Sequence, residues 1–186
     1  MSKAVSALDG ISHLGFAEVA EAGLRGMITV RGNLASAAMK KAVKSATGTA
    51  VPAARRIETA GDRAAAWMSP DELLIMVPYA MAQATVAQIE SALAKEHHLV
   101  ADVSDARAVF TVRGERAHEV LMKLCPVDFE TLAEGEIRRT RAAQVAAAFW
   151  RSGADEFTLV SFRSVASYVM GLLEVSSRSG SELFPA

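Results

Sequence analysis

"MITVRGN", Met27–Asn33, returns as "VFTVRGE", Val109–Glu115, and this echo decides the fold. Further along the chain, "WMSPDELLIMV" from Trp67 returns as "WRSGADEFTLV" from Trp150. The spacings agree: Arg31 to Arg113 is 82 residues, Trp67 to Trp150 is 83 and Asp71 to Asp155 is 84. Self-similarity at a fixed long period is the mark of a repeated structural unit.

The echo extends to the faces of the elements. Under the period-two alternation of a strand, Ile28 and Val30 share one face, as do their counterparts Phe110 and Val112. In the helix expected next, Ala35, Ala38, Met39 and Ala42 match Ala117, Val120, Leu121 and Leu124, an apolar stripe at helical spacing. In the closing helices Ala82, Val86 and Ile89 match Val165, Val169 and Leu172. Each unit reads as an opening extended segment (Leu14–Glu21, then Leu99–Val103), a "TVRG" strand, a helix, further strands and a closing helix. Gly32 and Gly114 sit at the strand-to-helix turn, where freedom in φ is useful. "RRIETAGDRAAAW" predicts two short strands joined at Ala60-Gly61-Asp62. In "IRRTRAAQVAAAFW" the alanines favour helix and the repeat favours strand; the repeat takes precedence. The expected fold is α+β, an internal duplication of two ββαβββα-like units about a pseudo-twofold axis. The units span 14–97 and 98–176, with tails 1–13 and 177–186, and residues 1–186 form a single compact body.

The chain has 186 residues, 51% apolar and 22% charged, which suits a folded protein able to bury a core. A net charge of −1 leaves no electrostatic footprint for nucleic acid. A single cysteine, Cys125, excludes an internal disulfide or a multi-cysteine metal site, and a cytoplasmic location is expected. The N-terminus lacks the pattern of a signal peptide, and the longest uncharged run near the second motif, Leu73–Ile89, falls short of a bilayer span. No membrane association is expected.

Asp71 and Glu72 resemble a catalytic pair, but neighbours on a strand point to opposite faces and could not serve one substrate atom. Pro70 between Ser69 and Asp71 fits a turn, and the second copy keeps Asp155 and Glu156 without the proline. His97 and His98 are expected to end the first closing helix, near its carbonyl pole; with His13 and His118 they make no metal-ligand spacing. Cys125, before Pro126, is expected to be a buried thiol, and Ser104 lacks a nucleophile elbow. Ser164 is expected to cap the helix after it. Lys40, Lys41 and Lys44 read as a solvated helix face; Met27, Met39, Met68, Met76, Met81, Met122 and Met170 mostly fall on expected apolar faces and read as core, with an adaptable interface as the alternative. Arg107, Arg113, Arg116, Arg138, Arg139, Arg141, Arg151 and Arg163 make the second unit arginine-rich, which suggests a docking surface. No catalytic, cofactor-binding or metal-ligating residue is assigned.

Together "GMITVRGN", "WMSPDELLIMVP", "DVSDARAVFTVRGERAHEVLMKLCPVDF", Gly135 and Thr140 in "GEIRRT", and "FRSVASY" resemble the gamma subunit of heterotetrameric sarcosine oxidase, in family order from Gly26 to Tyr168. Val165 departs from the pattern, which has a bulkier aromatic there, and the tails before Gly15 and after Val175 carry no resemblance. The resemblance implies a noncatalytic part in a four-subunit flavoenzyme that demethylates sarcosine oxidatively, giving glycine and hydrogen peroxide and passing the one-carbon unit to tetrahydrofolate. It implies alpha, beta and delta subunits as partners, holding FAD, FMN, NAD and zinc. It also implies the folate-binding-domain fold of aminomethyltransferases, with exchanged first strands.

Overall fold

The computed structural model describes residues 3–184. The chain is α+β, built on two antiparallel sheets. Two hairpin-like strands come first, β1 (Ser12–Leu14) and β2 (Glu18–Glu21). They are followed by β3 (Gly26–Gly32), α1 (Ala37–Thr47), β4 (Ile57–Ala60), β5 (Arg63–Ser69), β6 (Glu72–Val77) and α2 (Ala82–Leu93). The remainder is β7 (His98–Asp102), β8 (Arg107–Arg113), α3 (Ala117–Met122), β9 (Ile137–Ala142), β10 (Val145–Gly153), β11 (Glu156–Phe162) and α4 (Ala166–Ser177).

Leu24–Asp105 forms one unit, a sheet ordered β4-β5-β6-β3-β7 with α1 and α2. Its core takes Ile28 and Val30 from β3, Met39, Ala42, Val43 and Ala46 from α1, and Ile89 and Leu93 from α2. Lys40, Lys41 and Lys44 face solvent, as the spacing requires. β6 is buried on both faces from Leu73 to Val77, which is why "LLIMV" shows no alternation.

Residues 3–23 and 106–184 form the other unit, ordered β1-β2-β8-β11-β10-β9 with α3 and α4. Its core joins Phe110 and Val112 of β8 to Val120 and Leu121 of α3, Phe149, Leu159, Val169 and Leu173. β2 pairs with β8, Val19 opposite Val112, and β7 pairs with β3, Val100 opposite Val30. The alanine-rich "IRRTRAAQVAAAFW" is the hairpin β9–β10, with Thr140 opposite Ala147; pairing with neighbours outweighs alanine's helical preference.

Four expectations need correction. The first opening segment is two strands, because the chain turns at Gly15 against the end of α4: Phe16 N donates to Ser177 O at 2.8 Å, and a Cβ on Gly15 would lie 1.8 Å from that oxygen. The closing-helix match is out by one residue. A 3-10 turn, Arg163–Val165, precedes α4, so Ala166, Val169 and Leu173 are the buried counterparts of Ala82, Thr85 and Ile89. Ser164 caps nothing: it lies within that turn, where Ala166 N already donates to Arg163 O. His97 and His98 do not end α2, which stops at Leu93; Glu96 N closes a turn on Leu93 O at 2.8 Å and His98 opens β7.

Candidate functional site

In the Leu24–Asp105 unit an open cleft of about 810 Å³ lies where β3 hands over to α1, and its wall is completed by the β5–β6 turn and the approach to β7. Gly32 makes the handover possible. Its φ of +155° suits glycine, and a Cβ there would meet His97 O and the end of Met39 at 3.2 Å. Gly32 N donates to Asp71 O at 3.0 Å, which ties the β5–β6 turn to the end of β3.

Arg31 and Asp71 form one rim. Arg31 Nη2 lies 3.1 Å from Asp71 Oδ2, and Ser69 Oγ donates to Asp71 Oδ1 at 2.6 Å. The Ser69 hydroxyl, then the Arg31 guanidinium, hold the Asp71 carboxyl below its ordinary range. It is therefore an ionised turn residue and a poor proton acceptor at neutral pH. Glu72 is the first residue of β6, with Arg31 as its cross-strand neighbour. Asp71 and Glu72 thus divide between turn and strand, as the reading of Ser69-Pro70-Asp71 as a turn expects.

The other rim is Ser36 and Glu96. Ser36 is the N-cap of α1, accepting from Met39 N at 3.0 Å, and its hydroxyl donates to Glu96 Oε2 at 2.7 Å. Glu96 O lies 2.9 Å from His98 Nδ1, and Asn33 Oδ1 accepts from Ala35 N at 3.0 Å. Ser36, Glu96 and Asn33 were not singled out in the sequence. The one local signal was a serine ahead of an apolar-periodic run.

The other unit carries a smaller concavity, about 210 Å³, at the matching handover from β8 to α3. Gly114 N donates to Asp155 O at 2.9 Å, as Gly32 does to Asp71. The carboxylate that meets the arginine is shifted by one residue: Arg113 Nε lies 2.9 Å from Glu156 Oε2, which also accepts from Ser152 through Oε1 at 3.2 Å. The Glu156 bond raises the Arg113 pKa. The rings of Phe129 and Phe157 line this space. Phe129 stacks on Phe149 at 5.3 Å and meets Phe157 edge-on at 6.0 Å. Arg151 also lines it and donates to Ala154 O at 2.7 Å.

The remaining candidates are dispersed. His118 borders the small concavity and His13 lies on β1; among the described residues no three His, Cys, Asp or Glu side chains gather as a metal site would need. Cys125 is buried, and burial pushes its thiol up to about 12. Ser104 is buried, accepting from Met27 N at 2.9 Å and donating to Asp102 Oδ1 at 2.5 Å, which pins the end of β7 to β3. Among the described residues, no helix is long and apolar enough to cross a membrane.

Residues 31–179, which include both strand-to-helix handovers, match the model of the sarcosine oxidase gamma subunit family. The chain belongs to this family. The sarcosine oxidase subunit gamma of Corynebacterium sp. (strain U-96) is 33% identical over 124 residues, 64% of this chain and 59% of that protein. The aligned part thus spans somewhat under two thirds of the relative's length. A chain of the heterotetrameric sarcosine oxidase from Corynebacterium sp. U-96, solved with pyrrole 2-carboxylate, superposes with a TM-score of 0.78 at 24% identity, covering 87% of this chain and 83% of that one. The glycine cleavage system aminomethyltransferase T from Bartonella henselae superposes over 83% of this chain and 44% of its own, with a TM-score of 0.61 at 16% identity. At these identities the two structures speak for the fold: this member of the gamma subunit family shares it with an aminomethyltransferase.

Proposed function

We propose that the chain is the noncatalytic gamma subunit of a heterotetrameric sarcosine oxidase, supporting assembly of the flavin-bearing subunits. The observation that carries this reading is the family match over residues 31–179, beside a fold like that of a chain in the Corynebacterium heterotetramer. In this reading the complex demethylates sarcosine oxidatively to glycine and hydrogen peroxide, with one-carbon transfer to tetrahydrofolate. The alpha, beta and delta subunits are the partners and carry FAD, FMN, NAD and zinc, and the location is the cytoplasm. No catalytic, cofactor-binding or metal-ligating residue is assigned to this chain. The commitment of Asp71, Glu96 and Ser104 to internal bonds supports that. The test is coexpression of the other three subunits with and without this chain. Lost assembly or flavin retention is expected without it, and an unaltered complex sinks the reading.

The same proposal reads the fold as an internal duplication, units 14–97 and 98–176, with exchanged opening strands in one body. The pairing of β2 with β8 and of β7 with β3 supports the exchange. The matching glycine amides, Gly32 on Asp71 and Gly114 on Asp155, support the duplication.

A second reading is a freestanding folate-binding or one-carbon-related protein of the same fold. It is favoured by the likeness to an aminomethyltransferase and by the open cleft beside Arg31. Equilibrium dialysis of the isolated chain against tetrahydrofolate separates the two: retention at millimolar ligand supports this reading, and no retention removes it.

A further inference from the structure

α3 and its two cap residues carry a set of charges that the cleft does not use. Arg116, Glu119 and Lys123 recur at helical spacing, and all three reach the chain's last described residues. Glu119 is 2% exposed, yet its carboxylate accepts from Arg116 Nε at 2.5 Å and from the backbone N–H of Leu183 at 2.6 Å. Arg116 Nη2 donates to Phe184 O. Lys123 Nζ donates to Ser176 O at 2.7 Å, to Ser181 O, and to Ser181 Oγ at 3.1 Å, and it sits 4.9 Å from the centre of the Phe16 ring. Glu182 adds a negative charge that acts on both Arg116 and Lys123.

Most of these bonds go to main-chain atoms. A grip on main-chain donors and acceptors holds a segment in place while committing little of its side-chain surface. Accordingly Leu183 and Phe184 stay 45% and 51% exposed although their backbone is fixed. The segment therefore adds little apolar burial of its own. What holds it is a small number of charge-assisted hydrogen bonds, which are strong but can be broken without disturbing a packed core.

The geometry points to a strap: residues Ser181–Phe184 are latched on α3 by Arg116, Glu119 and Lys123, and they open and close while the sheet and its core stay folded. Closed, the strap covers two charges and gives each a further partner, the Leu183 amide for Glu119 and Ser181 for Lys123. Open, it presents them to water and frees a segment with two apolar side chains, Leu183 and Phe184.

Hydrogen exchange of the full chain, followed residue by residue, tests this. In the unaltered protein the Leu183 amide is expected to exchange at least tenfold more slowly than an unstructured amide, yet at least a hundredfold faster than Phe110 and Leu159 in the core. Glu119→Gln is expected to speed Leu183 by tenfold or more, with Phe110 and Leu159 unchanged. Lys123→Met acts on the latch from its other end and is expected to speed exchange of the Leu183 amide as well, again with Phe110 and Leu159 unchanged. An unprotected Leu183 in the unaltered chain overturns the strap. So does a speed-up shared equally by the core amides in both variants, since that would make the segment part of the global fold.

Discussion

Ser36 Oγ takes the amide hydrogen of Met39 and gives its own to Glu96, 2.7 Å away, so one hydroxyl both starts α1 and ties down the approach to β7. Ser36→Ala is expected to cost about 1–2 kcal/mol, the upper part of the range for losing an N-cap, because Glu96 loses a partner as well. Urea denaturation of the two proteins measures it. Glu96→Gln keeps a hydrogen-bond acceptor and should cost less.

The Asp71 carboxyl titrates below its ordinary value of 3.8, first through Ser69 and then through Arg31. Both Ser69→Ala and Arg31→Ala are expected to raise it, Ser69→Ala more, as read by NMR titration of the side chain. For a depressed carboxyl the stabilisation is present above the unfolded value and is lost as pH falls through the folded one. The difference between the unaltered protein and Asp71→Asn should therefore shrink only at pH below about 4.

Cys125 holds its thiol at about 12, so at pH 8 roughly one part in ten thousand is thiolate, and the side chain is buried besides. A disulfide reagent such as dithionitrobenzoate should leave the folded chain unmodified and react with one thiol per chain once urea unfolds it. Stoichiometric reaction in the folded state would contradict the packing around α3.

Two glycines should respond in opposite directions. Gly15→Ala places a methyl 1.8 Å from Ser177 O, a backbone atom, and should destabilise by more than the ~1 kcal/mol typical of point substitutions. Gly171→Ala adds a methyl inside α4 where nothing lies within 4 Å, and should stabilise by about 0.5–1 kcal/mol. Thermal melts of both variants make the comparison.

Phe110 of β8 and Ile28 of β3 are both fully buried, one in each of the two cores. Phe110→Ala is expected to cost about 3–5 kcal/mol and Ile28→Ala about 2–5 kcal/mol. A cost under 1 kcal/mol at either site in denaturant unfolding would mean that the β3 or β8 face is not where the sequence pattern puts it.

The pairs of strands and helices were legible because they rest on local periodicity read twice. Ile28 with Val30 and Phe110 with Val112 alternate as strands do, and the hairpin of the first copy overrode the alanines of "IRRTRAAQVAAAFW". What the sequence hid depends on partners far apart along the chain. β1 exists because Gly15 meets Ser177, and the cleft rim exists because Ser36 meets Glu96, sixty residues later. His97 and His98 were misplaced for a related reason: the end of α2 is set by the chain's return into β7, and no glycine marks it. The strap was invisible because Glu119 and Lys123 grip backbone, which looks the same in any sequence.

The pairing of Glu18–Glu21 with Arg107–Arg113 bears on how the chain is made. A ribosome lays down β2 some ninety residues before its neighbour β8, an interval of roughly 5–20 s at ordinary rates of synthesis. During that interval the contiguous Leu24–Asp105 segment has every strand of its own sheet and can close, while β2 waits with an open edge. The order of synthesis thus favours completing the Leu24–Asp105 segment first, and β2 is the stretch most in need of shielding until β8 arrives.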